Sequence, residues 1–312
     1  MVYRLALQMI GKLLFAQSSE LLDVKTNNGL PPNLALDEPS LSYTLKGVDI
    51  NMAAYMAELG FLANPVSSHV QSAEMGNQSL NSMALVSARY THKAVDIVSL
   101  MASAYLYSLC QALDLRAFQE IFLAALRPKA FDISAKYFYQ VVSGAQLESW
   151  QEHIWIALED NLPSTVSKDS TTRFLDLANS VKPLLLDLFV LRADPDGDEP
   201  GMNPTTVDGI LIIQDFTAEL AAVARDLFIA TREYYAQNPD ATPFLGAAAK
   251  RMYVFVRTDL GVPMHKGLAD HPVRKAGDGR NGNGLQNTGS WISRIYRAIR
   301  DDRVAKVVGE CL

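Results

Sequence analysis

The sequence has 312 residues, a formal net charge of −6, 49% hydrophobic residues and 20% charged residues. These values are typical of a folded protein with a large core, and they exclude the basic field that would attract a nucleic acid. The two cysteines, Cys110 and Cys311, are too few for a disulfide-stabilised secreted domain. No apolar run reaches the ~20 residues of a bilayer span, and no signal-peptide pattern opens the sequence, so we expect a cytoplasmic protein that does not enter a membrane.

Helical spacing of apolar residues dominates from the first residues onward, and alternating strand patterns are scarce. The first predicted helix runs from Val2 to Asp23. It ends at TNNGLPPNL, residues 26–34, where asparagine, glycine and proline favour turns and prevent helix continuation. A second predicted helix, residues 49–63, stops before Pro65. The expected fold class is therefore all-α.

A long helix is predicted next, because neither glycine nor proline occurs between Gly76 and Pro128. A helix of ~35 residues in this stretch, from about Gln78 onward, would be about 50 Å long. Its large apolar residues surround the helix axis instead of forming one stripe. Such a helix is stable only inside a multi-helix bundle, and part of that bundle can be a subunit interface.

The pattern changes near Phe118 to shorter amphipathic helices separated by polar breaks. These helices are predicted at residues 146–160, 171–192, 207–237, 247–260 and 290–303. The change predicts a division into three parts, which are residues 1–118, 119–245 and 246–312.

No metal site is predicted. The five histidines lack the spacing of zinc ligands, and they do not pair with the cysteines. The acidic stretch 194–205 lacks the glycine and the glutamate of a calcium-binding loop. The glycine-rich stretch 277–282 follows no strand, so a loop is a better interpretation than a dinucleotide-binding turn.

One polar cluster lies between strongly apolar helices and is a candidate site. Its members are Lys46, His69, Gln71, Glu74, Asn77 and Gln78. Glu74 and Gln78 are four residues apart at the start of the predicted long helix, a spacing that presents both side chains to one spot. In a concave pocket, an ammonium and a carboxylate would shift each other's pKa and could orient a zwitterionic substrate. The alternatives are a structural ion pair or unrelated surface charges.

The residues of this cluster belong to a longer recognisable stretch. Residues 64–82, NPVSSHVQSAEMGNQSLNS, resemble the pattern of plant and fungal phenylalanine ammonia-lyases. Other segments follow in the order of that family: TNNGLPPNL, SYTLKGVDINMAAYMAELGFLAN, LCQALDLRA, YVFVRTDLGV and SRIYRAIRDDRV. The resemblance is strongest over residues 5–118, and over residues 119–245 it is limited to position and helical character.

The resemblance implies a fold and an assembly. The fold would be the long-helix bundle of the ammonia-lyase type, which is similar to fumarase and aspartase. Residues 1–118 would be the C-terminal part of its helical core, residues 119–245 a helical shielding insertion, and residues 246–312 a C-terminal helical tail. The family forms homotetramers in which each active site draws residues from three chains.

The resemblance also implies a reaction, the conversion of L-phenylalanine to trans-cinnamate and ammonia. The family's cofactor is a methylidene-imidazolone (MIO), an electrophile formed from an internal Ala-Ser-Gly tripeptide. Glu74 would lie near the substrate amine, Lys46 would face the substrate pocket, and both would be catalytic. Gln78 would support the cofactor ring, with Asn77, His69 and Gln71 nearby. No metal would take part.

The sequence departs from the family pattern in one decisive respect. Ala-Ser-Gly does not occur in the 312 residues, so this chain cannot form the MIO group. The family's lid tyrosine and the segment that holds the substrate carboxylate are also missing.

We therefore expect the chain alone to be inactive, and two hypotheses remain. It is part of a lyase that assembles as a homo-oligomer or with an N-terminal lyase half, or it is a silent remnant that associates with full-length lyases. An aminomutase with the same cofactor is a further alternative.

Overall fold

The computed structural model describes residues 2–142, 144–192, 207–271 and 286–311. All regular elements in these ranges are helical, so the predicted all-α class is confirmed. The α-helices are α1 Val2–Leu22, α2 Lys46–Leu62, α3 Ala84–Phe138, α4 Ala145–Asn161, α5 Ser170–Ser180, α6 Lys182–Arg192, α7 Val207–Gln237, α8 Ala247–Val254, α9 Thr288–Arg300 and α10 Arg303–Cys311. The acidic stretch 194–205 and the predicted loop at 277–282 lie outside the described residues.

The long helix α3 differs from its prediction at both ends. It begins at Ala84, six residues after Gln78, and it continues through Pro128 to Phe138 over 55 residues. At 1.5 Å per residue it is about 80 Å long. Proline lacks the N–H that would bond to the preceding turn, and this normally ends or kinks a helix. Here Leu126 and Ala130 are buried on either side of Pro128, so packing holds the helix together.

Helix α3 is the axis on which the other helices pack. It contacts α1 and α2, and it contacts α7 through ring contacts of Phe118 and Tyr137 in its C-terminal half. Helix α9 also packs against α3, where Arg300 forms an ion pair with Asp96 at 3.3 Å. The predicted boundary at residue 118 lies inside α3, at the buried side chain of Phe118. The division into three parts therefore stays a prediction.

A buried polar cluster joins the C-terminal part of the chain to α3. The carboxylate of Asp114 accepts hydrogen bonds from the hydroxyl of Tyr253 and, at 2.5 Å, from the guanidinium of Arg257. Asp114 is fully buried and the Arg257 side chain is 8% exposed. Burial raises the pKa of Asp114, while the charge of Arg257 and the hydrogen bond from Tyr253 oppose that shift. We call these three residues the Asp114 cluster.

Among the described residues, α3 is the one helix that is long and apolar enough to cross a membrane by length and composition alone. In its most apolar 18-residue window, 56% of the residues are buried inside the molecule. This is the burial of a central helix in a helical bundle, where apolar residues on all sides contact neighbouring helices.

Candidate functional site

Five of the six predicted site residues lie on an irregular segment, residues 63–83, which connects α2 to α3. We call it the connecting segment. It contains two short 3₁₀ turns, Ser67–His69 and Glu74–Gly76. The side chains of His69, Gln71, Glu74, Asn77 and Gln78 are all exposed. The segment therefore forms a loop on the surface of the described chain.

The expectation that Glu74 and Gln78 lie one turn apart on the long helix is wrong. Met75 has φ 49° and Gly76 has φ 64°, and both values belong to the left-handed region. Two successive left-handed residues reverse the chain, so a right-handed helix cannot continue from Glu74 to Gln78. Glycine at position 76 adopts this conformation without steric cost.

The side chains of Glu74 and Gln78 have no partner among the residues that the structure describes. Neither forms a hydrogen bond or an ion pair with any described residue, and both are exposed. Large apolar side chains near them are also exposed, with Met75 at 97%, Leu80 at 64% and Leu85 at 65%. A surface that combines free polar groups with unburied apolar side chains is typical of a face that another polypeptide covers.

Lys46 lies elsewhere, at the first residue of α2. Its ammonium forms an ion pair with the carboxylate of Asp49 at 2.8 Å, and Ser19 of α1 donates a hydrogen bond to the same carboxylate at 3.1 Å. The hydrogen bond to Asp49 raises the pKa of Lys46. Lys46 is therefore a permanent cation near neutral pH, suited to attracting a carboxylate but not to acting as a base.

Two clefts meet at Lys46. The first has a volume of about 630 Å³ and lies between α1, α2 and the turn at Asn33. The second has a volume of about 450 Å³ and is lined by Tyr43, Thr44 and the chain near Leu268. Neither cleft is lined by Glu74 or Gln78. Lys46 was expected to form one site with Glu74 and Gln78. Among the described residues it shares neither cleft with them.

Sequence reasoning missed the partners that Lys46 has in the structure. Asp49 follows Lys46 by three residues, and on a helix this spacing places the two side chains side by side. The signal was present, but the predicted helix began at Asp49 instead of Lys46, so the pair was not placed on one helix. The contribution of Ser19 depends on how α1 packs against α2, which the pattern of either helix alone does not determine.

The connecting segment fits one part of the environment of an MIO group. The carboxylate of Glu74 and the amide of Gln78 are exposed, are separated by a tight turn and bond to none of the described side chains, so both can contact a group from another polypeptide. The described residues contain no cluster of three histidine, cysteine or acidic side chains that could hold a metal ion.

Comparison with known proteins identifies relatives along nearly the whole chain. A family model described as aromatic amino acid lyase matches residues 2–130. A phenylalanine ammonia-lyase of Aspergillus hancockii is 41% identical over 312 residues, which are 99% of this chain and 44% of the relative. A phenylalanine aminomutase of Talaromyces islandicus is 40% identical over 298 residues, which are 95% of this chain and 40% of the relative.

A solved structure agrees with these relatives. The phenylalanine ammonia-lyase of the yeast Rhodosporidium toruloides superposes with a TM-score of 0.83 at 32% sequence identity. The superposition covers 99% of this chain and 44% of the yeast enzyme. This chain thus spans less than half the length of the relatives that it matches. The predicted resemblance to the aromatic amino acid lyase family is thus confirmed, with the family model on residues 2–130 and the helical fold shared with the yeast enzyme.

Proposed function

We propose that this chain forms one side of the active site of an aromatic amino acid ammonia-lyase, which converts L-phenylalanine to trans-cinnamate and ammonia. The observation that carries the proposal is the exposed pair Glu74 and Gln78 on the connecting segment. Two polar side chains without partners, placed on a turn beside exposed apolar residues, are suited to completing a site with another polypeptide. The relatives named as phenylalanine ammonia-lyases support the reaction.

The residues of this chain would act on the charged groups of the substrate. The carboxylate of Glu74 can hold the ammonium group of the amino acid and accept a proton from it, which makes the amine a nucleophile. The ammonium of Lys46, kept protonated by Asp49, can attract the carboxylate of the substrate. The amide of Gln78 can both donate and accept a hydrogen bond, and it would support the ring of the MIO group beside Glu74.

The MIO group, when supplied by an Ala-Ser-Gly segment, provides the electrophile that turns the amine into a leaving group. Since this chain lacks that tripeptide, a second segment of polypeptide has to bring it to the connecting segment. His69, Gln71 and Asn77 are exposed on the same segment and would lie next to the group.

The partner of this surface would be another lyase chain, either a second copy within a homotetramer or an N-terminal lyase half. Apolar side chains of α1 support this assembly, because Met9, Ile10 and Leu13 are 49–61% exposed. Exposed apolar side chains of this size, together with Leu80 and Leu85, favour burial between subunits. We propose a cytoplasmic location for the assembly.

A chimeric enzyme tests the proposal. The N-terminal part of the Aspergillus hancockii relative, joined to this chain, should release trans-cinnamate and ammonia from L-phenylalanine, whereas this chain alone should release neither. In the chimera, Glu74→Gln should lower turnover by about 100-fold or more, since it removes a group that moves a proton. Glu159→Gln, on the exposed face of α4, is the matched control and should leave turnover unchanged.

Two outcomes would contradict the proposal. A folded, tetrameric chimera without activity would favour the silent remnant, whose role is limited to associating with full-length lyases. A chimera in which Glu74→Gln is as active as the parent would remove Glu74 from the site.

The aminomutase is a second candidate function, favoured by the 40% identity to a phenylalanine aminomutase. Both reactions start from the same amino acid, but a mutase returns the amine to the neighbouring carbon. Chiral chromatography of the products of the chimera separates the two. β-Phenylalanine as the main product would favour the mutase, and trans-cinnamate as the main product would favour the lyase.

A further inference from the structure

A glutamine in the middle of α3 ties together two segments that are far apart in sequence. Gln111 is fully buried, and its side-chain amide donates to the carbonyl oxygen of Leu34 at 3.2 Å and to that of His265 at 3.0 Å. Its own carbonyl oxygen accepts a hydrogen bond from the backbone N–H of His265 at 2.9 Å. The amide thus uses its donors and its acceptor on backbone groups that lie outside the α-helices.

The first of these segments is a strained turn. Asn33 and Leu34 have φ 54° and 53°, in the left-handed region, which is a costly conformation for a leucine. Such a turn persists only when its surroundings hold it. Here the carbonyl oxygen of Asn33 accepts from the backbone N–H of Leu45 at 3.2 Å, and that of Leu34 accepts from Gln111. The turn is therefore held between Gln111 and the residue that directly precedes Lys46.

The second segment begins at His265 and is fixed from two sides. Two hydrogen bonds of Gln111 hold it at His265. On the other side, the carboxylate of Asp37 accepts a hydrogen bond from the backbone N–H of Leu268 at 2.8 Å. Gly267 has φ 68°, and an added Cβ there would collide with the carboxylate of Asp37, so the segment lies tightly against that side chain. The segment cannot shift without breaking one of these contacts.

Both segments are walls of the two clefts that meet at Lys46. Asn33 lines the larger cleft, and His265 and Leu268 line the smaller one. Gln111 itself lines neither cleft, and its side chain is sealed from solvent. It can therefore act on a molecule in either cleft only through the backbone that it holds.

We propose that Gln111 is a positioning residue of the candidate active site, which sets where the ammonium of Lys46 lies between the two clefts. It does so by holding the turn at Asn33 and the segment at His265. This inference rests on the proposed function, in which Lys46 attracts the carboxylate of the substrate. Without the amide, the strained turn loses one of its two holds, and the residue before Lys46 moves with it. The substrate then binds more weakly, whereas the proton transfer at Glu74 is unchanged.

Kinetics of the chimera with the N-terminal part of the Aspergillus hancockii relative test the proposal. Gln111→Met keeps the length of the side chain and removes the amide. It should raise KM for L-phenylalanine about fivefold or more while kcat stays within about twofold of the parent, because it weakens binding and not the chemical step. Gln151→Met is the matched control. Gln151 also donates to a backbone carbonyl oxygen, that of Phe131 at 2.9 Å, but it belongs to α4, which lines neither cleft, so its KM should equal that of the parent.

A double variant separates positioning from a general loss of structure. In Lys46→Met the ammonium is absent, so adding Gln111→Met should raise KM by no more than about twofold further. A full, additive increase in the double variant would overturn the proposal, because Gln111 would then act on binding without Lys46. An unchanged KM in folded Gln111→Met would overturn it as well.

Hydrogen exchange of the same chimera distinguishes a failure of this inference from a failure of the proposed function. In Gln111→Met, the amides of residues 33–46 and 265–270 should exchange faster than in the parent, and those of α4 should not. An active chimera with the parental KM and parental exchange in this variant contradicts the role of Gln111 alone. An inactive chimera contradicts the proposed function. Faster exchange confined to the two segments would then still support Gln111 as the residue that holds the cleft walls, and uniform exchange would contradict it.

If Gln111→Met does not fold, Gln111→Asn decides. Asparagine keeps an amide in the buried position but is one methylene shorter, so it cannot reach both Leu34 and His265. A KM about threefold higher or more, with kcat unchanged, supports the proposal, and the parental KM contradicts it.

Discussion

The Asp114 cluster and the connecting segment both contain polar side chains, but only the first pairs them within the described chain. In the first, a phenol and a guanidinium both donate hydrogen bonds to one carboxylate inside the chain. In the second, Glu74 and Gln78 face outward without a described partner. A buried polar group has to be paired where it lies, whereas an exposed one is free to serve a surface that another polypeptide brings. The comparison thus separates polar residues that stabilise the fold from polar residues available for function.

The largest expected effect is on stability, at Asp114. Asp114→Asn leaves the guanidinium of Arg257 buried without a counter-charge, which should lower the free energy of unfolding by about 3–5 kcal/mol. Glu74→Gln is the matched control, because it makes the same change at an exposed carboxylate, and it should alter stability by less than about 0.5 kcal/mol. Urea denaturation followed by circular dichroism measures both. A similar loss of free energy of unfolding in the two variants would mean that the carboxylate of Asp114 is no more important to the fold than the exposed one of Glu74.

Arg4 connects the packed region to the connecting segment. One of its guanidinium nitrogens donates to the carbonyl oxygens of Leu62 at 2.5 Å and Asn64 at 2.9 Å, at the point where α2 ends. Arg4→Met should cost about 1–3 kcal/mol, because the buried carbonyl group of Leu62 and the partly buried one of Asn64 lose a charged donor. Hydrogen exchange should also accelerate in residues 63–83 and not in the second half of α3.

Lys12→Met is the control for this change, since Lys12 is an exposed cation on the same helix as Arg4. Its exchange rates should equal those of the parent. Faster exchange throughout α3 in Arg4→Met would mean that Arg4 stabilises the whole bundle and does not specifically hold the connecting segment.

A pH titration distinguishes a paired carboxylate from a free one. Burial alone would raise the pKa of Glu38, but hydrogen bonds from Ser170 and Arg232 lower it overall below the ordinary 4.5. A lowered folded-state pKa means that Glu38 contributes stability that is fully present above pH ~4.5 and is lost as the pH falls through the folded-state value. Thermal unfolding from pH 7 to pH 3 should show this loss in the parent chain and a smaller loss in Glu38→Gln. Equal pH profiles would contradict the pairing.

The sequence predicted the helices better than it predicted the site, and the reason is physical. Apolar periodicity is a local property, so α1, α4 and α7 were placed within one or two residues of their ends. The predicted helix 171–192 is two helices, because Pro183 in the first turn of α6 has no N–H with which to continue the hydrogen bonds of α5.

The site depends on information that periodicity does not contain. Glu74 and Gln78 have the four-residue spacing of a helical turn, but Met75 and Gly76 between them are left-handed. The spacing alone therefore favoured the wrong conformation. The clefts at Lys46 form between elements that are apart in sequence. The ion pair of Lys46 with Asp49 is local and its spacing is visible in the sequence, but the hydrogen bond from Ser19 depends on how α1 packs against α2.

Two glycines provide the finest test of the contrast between the connecting segment and the helices. Gly76 has φ 64° and nothing lies within 4 Å of an added Cβ, so Gly76→Ala meets no clash but is held in the left-handed region. That conformation costs an alanine about 1–2 kcal/mol, partly offset by the lower entropy of its unfolded state. Gly47 in α2 also has nothing within 4 Å, and its conformation is helical, so Gly47→Ala should instead stabilise the chain by about 0.5–1 kcal/mol. The two variants make the same chemical change in equally open space, so opposite signs in urea denaturation can arise only from the backbone. If Gly76→Ala were also stabilising, residues 74–78 would be free to become helical, and Glu74 and Gln78 would then lie side by side as their spacing first suggested.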